Sequence, residues 1–153
     1  TTDVALSEKQ VEDISKGISK ELDIYIDLFR VWKSWPDEFV LGDKFNRTLS
    51  CDPVKQEFVA TSLHGDTLRE KRFIDCESLI KWALSIEDLT LTSTTELEPG
   101  EYFVKVVVEG RLRKLPPVVG YLFFFVKEKE FKIHKNSPFF TVNGNGGTEE
   151  GPR

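Results

Sequence analysis

The chain has no methionine, at position 1 or anywhere else, and only two cysteines and two histidines. A translation product begins with methionine, so we expect a trimmed piece or mature fragment, with any leader or anchor removed or not included. Cys51, Cys76, His64 and His134 are scattered, with no Cys-x-x-Cys, which makes a poor zinc set. In an exported protein the two thiols could pair, closing a loop of about 25 residues for ~3 kcal/mol in the loop-entropy picture; in a reducing compartment they stay thiols. Long apolar runs are missing too. The longest, Val118 to Val126 in "LPPVVGYLFFFV", contains Gly120 and follows Pro116-Pro117. At about half of the ~20 residues a spanning helix needs, it does not cross a bilayer as a helix.

Positive charge is short as well: 21 Lys and Arg face 26 Asp and Glu, for a net charge of −5. A chain that binds nucleic acid is more often basic, because phosphate contacts release counterions and drive affinity. We expect no nucleic-acid partner. The local basic cluster Arg111, Arg113, Lys114 reads first as a solvated strand end. Catalytic motifs are absent: no P-loop, no G-x-G-x-x-G, no H-E-x-x-H, no EF-hand loop and no G-x-S-x-G elbow. His64 with Asp66 in "SLHGD" could be imagined as a base and its orienting carboxylate, but a tight turn rarely presents such a pair correctly, and a solvated turn histidine is the plainer reading. Asp37, Glu38 and Asp43 would join Asp52 and Asp66 around calcium only if their turns converged, and nothing in the spacing demands it. "NRT" at Asn46 matches a glycosylation acceptor but falls inside an expected strand. The expectation is no enzyme, no catalytic residue, no metal site and no cofactor.

What is present makes a core. The chain is 39% hydrophobic and 31% charged, with 12 Phe, 3 Trp and 3 Tyr, a globular rather than a disordered composition. Ser7 and Gln10 form a capping-box signature for a helix over 7–20, with Val11, Ile14 and Ile18 on one face and Gly17 weakening the last turn. Leu22, Ile24, Ile26 and Leu28 alternate with Asp23, Tyr25, Asp27 and Phe29, which is the period of a strand. "KSWPDEF" turns at Pro36, and Phe45, Arg47, Leu49 and Cys51 then share a strand face. Strands over 58–63 and 67–73 flank "HGD" as a hairpin. Asp75 caps a helix over 76–86 whose stripe is Leu79, Ile80, Ala83 and Leu84, with Trp82 at its edge. Beyond the Pro99-Gly100 turn, Tyr102, Val104, Val106 and Val108 occupy one strand face, and a last extended piece covers 130–142.

About six extended segments without βαβα alternation predict a mainly β fold: an antiparallel β-sandwich, immunoglobulin-like or C2-like, with one or two peripheral helices, and as second choice a single curled sheet packed on the helices. We expect one domain over 1–142 and a flexible tail over 143–153. Three consecutive Phe at 123–125 cannot all enter a core through one sheet face; the segment is buried on both sides, laid across the core's end, or partly exposed.

The order of "GISKELDIYIDLFRVWKSWPDEFV", "RTLSCDPVKQEFVATS" and "LEPGEYFVKVVVEGRLRKLPPVVGYLFFFV" resembles the bacterial DUF4390 family over about residues 17–142. The shared features are a long strand entered from a Gly-Ile start, a Trp/Asp turn, an Asp-Pro hairpin, a "LEPG" turn and a "LP" step into an apolar run. Ser19 stands where a proline is common, and Cys51 where an aromatic is typical. The resemblance implies no activity and no catalytic residue. It implies an export signal or anchor and an extracytoplasmic site, in the periplasm or anchored facing it. The resulting expectation is a non-enzymatic accessory module that engages an envelope or membrane protein. Its candidate binding residues are Trp32, Trp35, Phe39, Phe123, Phe124, Arg111 and Arg113. The first alternative is a membrane-docking sandwich, with the Arg111–Lys114 basics and the Phe run meeting anionic lipid, and the second, placed behind it, is an enzyme of unrecognised type whose residues meet only in space. The sequence leaves the oligomeric state open.

Overall fold

A computed structural model describes residues 8–52, 54–87, 89–114, 126–144 and 148–150. The fold is mainly β. The elements run α1 (Glu8–Ser15), β1 (Lys20–Val31), β2 (Glu38–Asp52), β3 (Glu57–His64), β4 (Thr67–Phe73), α2 (Cys76–Ala83), a 3-10 turn (Thr94–Glu96), β5 (Gly100–Lys114), β6 (Val126–Asn136), β7 (Phe140–Val142) and β8 (Thr148–Glu150). The described strands join one sheet in the order β4-β3-β2-β1-β5-β7-β8, and β6 pairs β5 off that path. The β2–β3, β3–β4, β5–β7 and β7–β8 pairs are antiparallel. The six residues between β1 and β2 are too few for a parallel crossover, so that neighbouring pair is a hairpin as well. One shared sheet of this kind is consistent with the sandwich expected. Thr148–Glu150, inside the segment expected to be a tail, pairs with β7.

Local chemistry explains the boundaries. The helix expected to reach residue 20 stops at Ser15, because Gly17 adopts φ 91° and closes a Schellman motif. Gly17 N donates to Ile14 O and Ile18 N donates to Asp13 O, both at 3.0 Å. Gly17 is therefore the stop signal and not a weak last turn. The Ser7 half of the expected capping box lies outside the described residues. Asp75 caps α2 as expected: its carboxylate accepts from Ser78 N at 2.7 Å and from Ser78 Oγ at 3.1 Å. Between β3 and β4, Gly65 has φ 60° in a two-residue loop flanked by His64 and Thr67, the geometry of a II′ turn. Asp52 Oδ1 takes the amides of Val54 and Lys55 at 3.0 and 3.1 Å, and Gln56 then turns the chain at φ 53°.

The chain divides into two compact units, each drawn from three stretches. Unit 1 holds 1–24, 45–86 and 108–133; unit 2 holds 25–44, 87–107 and 134–153. The core of unit 1 is Ile14, Leu22, Leu49, Cys51, Ala60, Leu79 and Ala83, with Phe58, Phe73, Cys76, Ile80, Trp82 and Leu84 packed against it. Leu22, from the aliphatic face expected of β1, meets the stripe expected of α2 here. The core of unit 2 is Leu28, Tyr102 and Val142, bordered by Val40, Leu41, Leu91, Leu97, Val104 and Phe140.

β1 and β5 depart from simple alternation. In β1 the first five positions, Lys20 to Ile24, are all buried. In β5, Phe103 and Val107 are buried along with Tyr102 and Val108, so both of its faces are covered. The expected last strand is two: β6 ends at Asn136, and Ser137 to Phe139 break the ladder before β7. Cys51 is buried and Cys76 half-buried, both as thiols.

Candidate functional site

In unit 2, β1 ends at Val31 and β2 resumes at Glu38, because Pro36 cannot donate to a ladder and fixes a turn. The connecting loop presents indoles to solvent: Trp35 is 77% exposed and Trp32 41% exposed, with Phe39 at 56% just inside β2. Trp32 is held in place. Its Nε1 donates to Glu38 Oε2 at 3.0 Å, and the Arg30 guanidinium lies 4.3 Å from the ring centroid. Arg30 in turn donates to Glu98 Oε2 at 2.6 Å and to the Pro99 carbonyl at 2.8 Å. The Glu98 carboxylate raises the Arg30 pKa further above its already high value. Tyr102 Oη donates to the Glu98 carbonyl at 2.7 Å, which ties the same turn to β5.

A row of four rings continues this surface across the strands. Phe39 meets Phe29 edge to face at 5.9 Å, Phe29 stacks on Phe103 at 5.4 Å and 12°, and Phe103 meets Phe139 edge to face at 5.6 Å. These are the arrangements that ring quadrupoles favour. Phe103 is buried and Phe29 half-buried, while the two end rings, Phe39 and Phe139, are more than half exposed. A rigid, buried centre with open ends is a platform and not a loose hydrophobic tail.

Unit 1 holds a different kind of cluster. Asn46 Nδ2 on β2 donates to Glu21 Oε1 at 2.8 Å and to Asp23 Oδ1 at 2.9 Å on β1. Asp23 pairs with Arg111 of β5 at 3.4 Å, Arg111 with Glu109 at 3.5 Å, and Glu109 with Lys132 of β6 at 3.2 Å. Glu21 and Asp23 are buried. Such a chain of charges satisfies groups that would be costly to bury alone. It also occupies the Asn46 amide that the glycosylation motif would need. On the core face, Arg47 donates through Nη1 to the carbonyls of Trp82, Ala83 and Ser85 at 2.9, 2.7 and 2.7 Å. Its guanidinium also lies 4.6 Å from the Trp82 ring. This is a clamp on the C-terminal end of α2, where a cation meets the negative pole of the helix. Burial pulls the Arg47 pKa down.

Of the residues expected to bind, Trp32, Trp35 and Phe39 come together in unit 2. Arg111 belongs to unit 1, where it pairs with Asp23 and Glu109. Phe123 and Phe124, with the rest of the 118–125 run, lie outside the described residues, as does the side chain of Arg113. Sequence reasoning missed Phe103 and Phe139 as members of the row, because they join it only through strand pairing. It also missed the polar chain, whose one local signal is the spacing of Glu21 and Asp23 on a strand face. His64 is exposed, as expected of a turn residue, and stacks on Phe45 at 4.2 Å. Among the described residues no three His, Cys, Asp or Glu stand where they could hold a metal ion, and no helix is long and apolar enough to cross a membrane.

No curated protein and no solved structure matches the chain. A family model does, over residues 1–137, with the Trp/Asp turn, the Asp-Pro hairpin and the "LEPG" turn all inside the match. The chain belongs to the DUF4390 family, a domain of unknown function.

Proposed function

We propose that the protein is a non-enzymatic accessory module of the bacterial cell envelope, and that it captures a protein partner through the aromatic surface of unit 2. One observation supports this above the others: Trp35 and Phe39 stand open to solvent, and Phe39 is the first of a packed row of rings. Exposed aromatics on a rigid base are the usual anchors of protein interfaces, since they bury large areas at low entropic cost. The extracytoplasmic placement is carried over from what the family resemblance implies.

The test is a Trp35→Ala, Phe39→Ala double variant. Both side chains are exposed, so the thermal midpoint should move by no more than about 3 °C. Capture of the partner from envelope extracts should fall at least about tenfold. A variant that melts would show that these rings are core. A stable variant that still captures the same protein would show that the interface lies elsewhere.

A further inference from the structure

The partner's chemistry can be narrowed. Charge is unevenly shared between the two units. Unit 2 contains eleven acidic and six basic residues, whereas unit 1 contains fifteen of each, so the whole net charge of −5 resides in unit 2. The aromatic surface lies in the acidic unit, and carboxylates border it. Asp37 and Glu38, both exposed, sit between Trp35 and Phe39 in the sequence, and Glu38 is hydrogen-bonded to Trp32. Exposed Glu98 reaches the same surface through Arg30, and exposed Glu101 follows at the start of β5. Among the described basic residues of unit 2, Arg30 is already engaged by Glu98 and Pro99, Lys44 lies 5.1 Å from the Tyr25 ring centroid, Lys33 and Lys135 are exposed, and Lys105 is half-buried.

We infer that this surface takes a cationic segment of a partner protein, an extended stretch bearing Arg or Lys. The inference rests on the reading of unit 2 as a partner-binding surface. Arg30 on Trp32 shows within the molecule how such a contact is made: a guanidinium over an indole, with a carboxylate in reach. Among the described residues Trp35 has no such cover, and its open ring together with Asp37 and Glu38 offers the same pairing to an incoming side chain. At physiological salt, charges act over about 8 Å, so carboxylates at the rim of the site raise the local concentration of a cationic partner. The same charges repel anionic lipid, which sets this inference against membrane docking through the same face.

The experiment uses synthetic hepta-arginine, hepta-lysine and hepta-glutamate peptides, and phosphatidylglycerol vesicles, with the indole N–H resonances of the full chain as readout. Hepta-arginine should shift the Trp35 and Trp32 signals saturably, more tightly than hepta-lysine because a planar guanidinium stacks. Affinity should fall as salt rises. Asp37→Asn with Glu38→Gln should weaken hepta-arginine binding at least tenfold, while Asp66→Asn with Glu77→Gln, an equal loss of charge in unit 1, should leave it within twofold. Silent indole signals, equal weakening by both double variants, or indole shifts produced by hepta-glutamate or by the vesicles would overturn the inference. The Trp35→Ala, Phe39→Ala variant separates the two levels. If it loses the natural partner while Asp37→Asn with Glu38→Gln retains it in full, the surface stands and its cationic preference falls.

Discussion

Arg47 shows how one residue can decide the placement of an element. It lies on a strand face otherwise made of Phe45, Leu49 and Cys51, where a charge is expensive. The cost is offset because three carbonyls at and just beyond the end of α2, those of Trp82, Ala83 and Ser85, all converge on one guanidinium nitrogen. Arg47→Ala should destabilise the protein by ~3 kcal/mol in urea denaturation, since it takes a charged donor from those carbonyls as well as removing the ring contact. Arg47→Lys should recover only part of the loss, because an ammonium has no plane to stack on Trp82. Equal stability of the Ala variant and the parent would show that water takes over the carbonyls. The sequence placed Arg47 on the right face but gave no hint of its partners, which lie 35 to 38 residues away. The exposure of Trp32 and Trp35 was legible for the opposite reason: a proline turn between two strands presents what it contains to solvent, and that is a local property.

Among the elements, α2 was the most readable because its start is written in adjacent residues. Asp75 accepts the Ser78 amide, and that hydrogen bond holds its carboxyl below the usual Asp range. A depressed folded-state pKa means stability that is fully present above the unfolded-state value and lost as the pH falls through the lower folded value. Asp75→Ala should therefore be less stable than the parent at pH 7, and the gap should close below about pH 4, the ordinary Asp range. Denaturation at pH 7 and pH 3 checks this, and a gap that stays the same width would show that the cap contributes through shape and not charge. The end of α1 was misjudged because Gly17 was weighed as a poor helix former, when its ability to adopt φ 91° makes it a terminator. The split between β6 and β7 was passed over although Pro138 marks it, since aromatic residues on both sides kept the extended pattern going.

For the molecule as a whole, strand order sets a gradient of protection. β1 is flanked by β2 and β5, and β4 and β8 close the two ends of the path. Amides of Leu22 to Leu28 should exchange with solvent most slowly, and those of β4 and β8 first, at least about a hundredfold faster under native conditions. Uniform exchange across the sheet would mean that it opens only as one cooperative piece. The antiparallel β class was recoverable from period-two alternation and turn residues alone. The division into two units was not, because each is assembled from three separate stretches and the pairing that joins them is non-local.

The break after β6 has a consequence for how the chain can vary. Ser137 N donates to the Val104 carbonyl at 2.8 Å, and its Oγ accepts the Val104 amide at 2.9 Å. One hydroxyl therefore splices two short ladders into a continuous seam along β5. Loss or gain of a single residue between Asn136 and Phe140 would remove that splice and put every downstream side chain on the opposite side of the sheet. Homologous chains should accordingly keep the length of this joint fixed even where its residues drift, and should confine their insertions to other connections.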